Sequence, residues 1–147
     1  MTPLKSFKEF LSRGIVRKIT PDLARARSLT QESKKRKKFL EELHEKIGLK
    51  NENANYFIEN SYDLLIELLR ARLLVQGLYA SGEGAHEAEV TYMQKLGFPE
   101  KDIRFMNSLR YFRNGILYHG KSFDKEYGEK VLKFLEKTYP KLKGHYN

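Results

Sequence analysis

The sequence predicts an all-α protein, an up-and-down bundle of about five helices. Three observations carry this. Apolar residues recur at three- and four-residue spacing through most of the chain. No stretch shows convincing two-residue strand alternation. Gly and Pro interrupt the periodic segments, leaving short connections between them. A length of 147 residues suits one domain. The expected organisation is a single helical domain over 1–147, with its core at about 21–140. Residues 1–20 form an N-terminal extension and 141–147 a polar tail.

The elements follow in order. Leu4, Phe7, Phe10 and Leu11 make a short amphipathic helix that ends near Gly14. Thr20-Pro21-Asp22 starts the next helix, with Thr20 as N-cap and Pro21 at the first helical position. That helix runs through Leu29, Phe39, Leu40, Leu43 and Ile47, and Gly48 closes it. A third helix begins near 51–55 and continues to Leu78. Leu64, Leu65, Ile66, Leu68 and Leu69 make it apolar on more than one face, so it should be central. The loop Ser81-Gly82-Glu83-Gly84 precedes a short helix from Ala85 to Leu96. Pro99 opens a helix that ends near Gly120. Asp124 caps a last helix, and Pro140 ends it.

The 28 Lys and Arg outnumber the 19 Asp and Glu, for a formal charge of +9. Such a balance favours polyanion partners, nucleic acid first, without identifying which. There is no Cys, which rules out disulfides, thiolate metal sites and Cys nucleophiles. No apolar run approaches the roughly 20 residues that span a bilayer, and the start MTPLKSFKEF lacks the apolar core of a secretion signal. A cytoplasmic protein with no membrane association is expected.

One stretch stands out: Tyr111-Phe112-Arg113-Asn114-Gly115-Ile116-Leu117-Tyr118-His119-Gly120. At about 100° per residue, Phe105, Met106, Leu109, Phe112, Ile116 and Leu117 gather into one core-facing arc. Arg113 projects from inside that arc, and His119 falls at its edge. A guanidinium there needs an acid, a bound anion or a subunit interface. Asp63 and Glu67 of the central helix are the candidate acids.

Other chemistry is sparse. His44, His86 and His145 lack the paired spacing of a zinc site, so neither metal nor cofactor is expected. His44 reads as solvated and His145 as part of the tail; His86, at a helix start just after the glycine loop, reads first as a local capping or packing residue, with an approach to the active centre as the alternative. Gly82-Glu83-Gly84 lacks the Gly-Lys-Ser/Thr of a phosphate loop, and no Gly-x-Ser-x-Gly elbow occurs. The basic run Lys34 to Lys38 is either a solvated helix face or a phosphate-tracking surface, with Arg25 and Arg27 on the same helix.

The motif Arg113-Asn114-Gly115-Ile116-Leu117-Tyr118-His119, on a late helix of an all-α chain, resembles the HEPN superfamily. The similarity spans about Asp22 to Tyr139. It includes the central apolar helix, the short helix after the glycine loop and the Phe98-Pro99-Glu100 restart. The resemblance implies a metal-independent endoribonuclease, often a toxin partnered by a nucleotidyltransferase-type antitoxin. It also implies a homodimer with two Arg/His motifs in a shared cleft. His119 would act as general base on the ribose 2′-OH or as acid on the leaving oxygen. Arg113 would bind the scissile phosphate, leaving a 2′,3′-cyclic phosphate. Asn114, Arg110 and Tyr118 would contact substrate. The alternative that the resemblance allows is a non-catalytic nucleotide-binding or docking module beside a nucleotidyltransferase. Some relatives carry a tyrosine two residues after the histidine, where an antitoxin attaches AMP; that position is Lys121 here. Six residues of straight helix put Arg113 and His119 about 120° apart, a separation that Gly115 or a dimer cleft would relax.

Overall fold

The computed structural model describes residues 4–144, so His145 lies outside the described part. Among the described residues there are six α-helices: α1 (Phe7–Ser12), α2 (Leu23–Lys46), α3 (Ala54–Val75), α4 (Ala85–Thr91), α5 (Glu100–His119) and α6 (Lys125–Leu142). The fold is an all-α bundle. Antiparallel contacts join α2 to α3, where Ser33 Oγ donates to Leu64 O and Arg36 reaches Asn60. They also join α3 to α5, where Asp63 meets Arg113 and Asn55 Nδ2 donates to Lys121 O. α6 runs parallel to α3, bonded near both ends through Asn51–Lys125 and Arg72–Leu142.

α3 is the axis. Phe57, Tyr62, Leu64, Leu65, Leu68 and Leu69 are all essentially inaccessible, although they point in different directions around the helix. Only an element covered on several sides can bury such a pattern. Each large apolar side chain buried there contributes about 1.5–3 kcal/mol.

The sequence pattern does not anticipate the small antiparallel ribbon of β1 (Val16–Lys18) and β2 (Leu78–Ala80). Three residues per strand are too few for alternation to register. α3 therefore ends at Val75, and Leu78 belongs to β2 instead of the helix. Gly77 makes this exit possible. It has φ +71°, and a Cβ there would lie 2.7 Å from Ile19 O. The ribbon packs the N-terminal segment down: Phe7, Phe10 and Val16 are buried against Leu73, Ala88 and Tyr92.

Three boundaries differ from expectation. Asp22, not Thr20, caps α2, its Oδ1 accepting from Arg25 N at 3.0 Å. A carboxylate is favoured beside the positive helix end, and Asp22 N also donates to Leu74 O, which fixes the entry. α4 stops at Thr91 and continues as a 3₁₀ turn, Tyr92–Gln94. Pro140 does not end α6, which runs on to a fully buried Leu142. Proline forfeits its N–H bond and crowds the preceding turn, but Arg72 secures the last turn by donating to Lys141 O and Leu142 O. Asp124 caps α6 as expected, Oδ1 accepting from Tyr127 N.

Candidate functional site

α5 has two unlike halves. Its first half buries Ile103, Met106 and Leu109 in the bundle core. Its second half emerges: Tyr111, Leu117 and Tyr118 are exposed. The arc includes Leu117, but Ile116 makes the contact with the core, Phe112 packs on Phe123 and Tyr127, and Leu117 remains 47% accessible. The helix stays continuous through Gly115 and widens at its end. Gly120 N and Lys121 N both donate to Gly115 O, a longer reach than the normal α-helical bond. Gly120, at φ +62°, stops it.

This end of α5 forms one wall of a cleft of about 710 Å³. Arg110, Asn114, Tyr118 and His119 all line it, opposite Lys121 and Ser122 of the following loop. Four of the five expected site residues therefore meet in one place. Arg110 is tethered through Nε to Asn107 Oδ1 at 2.9 Å, which orients its guanidinium. His119 is exposed on the last helical position.

The fifth residue, Arg113, leaves the helix on another side. Its Nη2 lies 3.1 Å from Asp63 Oδ1 on α3. The guanidinium also sits 5.9 Å from the centre of the Tyr62 ring. Its Nε is buried and makes no hydrogen bond. The helical rotation between Arg113 and His119 is thus real: the structure does not bring the two to one cleft within this chain. Asp63 is the acid that meets Arg113. Glu67 faces Arg36 instead, Nε to Oε1 at 2.6 Å, an ion pair too bent to count as a hydrogen bond.

Around Tyr62 lies a polar group that sequence reading missed. Arg70 grips Glu89 with two bonds, 2.6 and 3.0 Å, and Glu89 is almost wholly buried. His86 stacks on Tyr62 and places Nδ1 3.4 Å from Tyr62 Oη. Burial foremost, then the charge of Glu89, pushes the Tyr62 phenol far above its usual range, so it keeps its proton. Glu59, one turn before Asp63, is pushed upward by burial and by Asp63, with Arg113 opposing. The one available signal was an acid, Glu89, on the buried stripe of α4 with Ala88 and Val90.

The basic run divides. Ser33 is buried, Arg36 binds Glu67 and Asn60, and Lys37 binds Glu41 and Glu136. Lys34, Lys35 and Lys38 are exposed and make no ion pair among the described residues. His44 stands edge-on to Phe57, remote from this cleft. Among the described residues no group of three His, Asp or Glu is arranged to hold a metal ion, and no helix is long and apolar enough to cross a membrane.

No protein-family model, curated protein or solved structure matches this chain.

Proposed function

We propose that this protein is a metal-independent endoribonuclease of the HEPN toxin type, acting through 2′-OH attack at a cleft completed by a second copy. The supporting observation is the cleft at the end of α5. It gathers a permanent cation (Arg110), an amide (Asn114), a phenol (Tyr118) and a titratable imidazole (His119) on a strongly basic chain. That set suits a phosphodiester. Arg110 and Asn114 hold the phosphate oxygens, and His119 moves a proton. Arg113 adds positive charge from the α3 side, where a donor remains unspent. The cytoplasm is the fitting compartment for such an RNase, and a nucleotidyltransferase-type antitoxin its fitting partner.

Dimerisation draws support from the exposed Tyr111, Leu117 and Tyr118 of α5. An apolar face beside the motif favours a second copy, which would set two motifs against each other. Solution scattering at micromolar concentration should return a dimer; a monomer would remove the shared cleft.

The decisive experiment is RNA cleavage in EDTA by wild type, His119→Ala and Arg113→Ala. Wild type should cut, and each variant should remain folded while losing about 100-fold or more in rate. A folded variant with wild-type activity would sink the mechanism. The Arg113–Asp63 pair favours the non-catalytic alternative, a docking or nucleotide-binding module, because it gives Arg113 a structural task. Wild type that binds RNA or nucleotide without cutting would select it.

A further inference from the structure

Arg36, Arg70 and Lys137 each stand against an acid. Arg17 and Arg25 have no acid and share an aromatic ring instead. Arg17 lies directly across the ribbon from Tyr79, and its guanidinium carbon stands 5.8 Å from the centre of the Tyr79 ring. Arg25, in the first turn of α2, brings its own to 5.5 Å from the same ring. Neither side chain makes a hydrogen bond or ion pair among the described residues. Tyr79 is a fixed platform for both. It packs with Leu29 and Val75 against Ala26, Ala71 and Leu74, which joins the ribbon to α2 and α3.

Two guanidiniums on one ring repel each other, and a ring's attraction for a cation is modest at an exposed site. A carboxylate between them would relieve the repulsion, but none is there. Asp22 is the adjacent acid in the chain, and its Oδ1 accepts from the backbone N–H of Arg25 at the helix end. Lys18 and Arg27 add to the charge; both are exposed and make no ion pair among the described residues. A cation held against a ring face spends none of its N–H donors, so each guanidinium keeps its fork for an outside partner. That fork matches the oxygens of a phosphate.

We infer that Arg17, Arg25 and Tyr79 form a second phosphate site, a clamp for the RNA backbone remote from the α5 cleft. It rests on the function proposed above for its ligand, RNA, and not for the cleavage chemistry. The ribbon adjoins the end of α3, where Ile19 N donates to Gly77 O. The cleft loop adjoins the start of α3, where Asn55 meets Lys121. The 22 residues of α3 separate the two, about 33 Å at 1.5 Å per residue. The clamp therefore holds a stretch of strand that the cleft does not touch. It raises affinity through phosphate contacts and leaves the chemical step unchanged.

The test is binding of the intact chain to a single-stranded RNA long enough to span both sites, read by fluorescence anisotropy in EDTA between about 50 and 200 mM salt. The double variant Arg17→Ala/Arg25→Ala should bind about 10-fold more weakly, and its slope of log Kd against log salt should fall by about 1.4, the value for two phosphate contacts on a single strand. Lys34→Ala/Lys38→Ala removes the same charge elsewhere on α2 and should do much less; equal losses would overturn the clamp, because they would mark a diffuse charge effect. If the alanine variant is misfolded, Arg17→Lys/Arg25→Lys decides, since it keeps the charge and removes the fork: folded and weakened supports the clamp, folded and unchanged overturns it. Saturating RNA should return the arginine variants to the wild-type single-turnover cleavage rate. A wild type that binds RNA through the clamp and cuts none would keep this inference and remove the ribonuclease function. A wild type that cuts RNA while the arginine variants bind as tightly would do the reverse. A wild type that binds no RNA would overturn both.

Discussion

Arg70 and Arg113 stand beside the same buried tyrosine, yet they spend their charge differently. Arg70 engages Glu89 through two hydrogen bonds, and Glu89 is 1% accessible. Arg113 meets Asp63 through a single contact, with the two side chains 20% and 26% accessible. The first pair is closed: both partners are satisfied and little water reaches the acid. The second is open: one donor is orphaned and solvent is near. Two residues with the same chemistry therefore have different prospects. The closed pair holds α3 to α4, and the open pair leaves the buried Nε of Arg113 without a hydrogen bond.

The largest effect that tests this contrast is on stability. Glu89→Ala strands a partly buried guanidinium and should cost about 3–5 kcal/mol, read from urea denaturation. A loss below about 1 kcal/mol would show that the Arg70 pair is as dispensable as a surface one. Asp63→Asn should cost only about 1 kcal/mol, and should tighten RNA binding in fluorescence anisotropy because Arg113 is released. If Asp63→Asn instead destabilises as much as Glu89→Ala, Arg113 is structural and the docking alternative gains. The smallest effect is the pH dependence of stability. The His86 ring titrates lower in the folded protein than its usual 6.5. The unfolded chain therefore takes the proton first, so this stabilisation is present above pH 6.5 and fades as pH falls through the folded value. Chemical denaturation of wild type and His86→Asn over pH 5–7.5 should differ in slope, and equal slopes would show that His86 is not perturbed.

Much of the helical order was legible because it depends on local periodicity. The long apolar run of α3 marked it as central, and Asp124 and Pro99 marked helix starts that the structure retains. The ribbon was not legible, because three-residue strands form only when α3 ends beside the N-terminal segment. The run of Pro140 inside α6 was hidden for a similar reason: it depends on Arg72, a distant residue, to hold the last carbonyls. For the site, the family resemblance named Arg110, Asn114, Tyr118 and His119 on one expected helix, and the cleft gathers those four. Helical spacing put Arg113 about 120° from His119, and the structure keeps them apart.

The sequence by itself determined the helical class, the central place of α3, the basic surface and the odd position of Arg113 on an apolar arc. Each follows from composition or from a period of 3.6 residues, which a single chain displays without reference to its neighbours. Only the tertiary structure decided which acid Arg113 meets, which of the lysines from 34 to 38 stay free, and that His86 comes to lie beside Tyr62. The His86 and Arg113 meetings join residues 24 and 50 positions apart. They depend on how the helices pack, because a buried charge or ring takes whatever partner the facing helix presents.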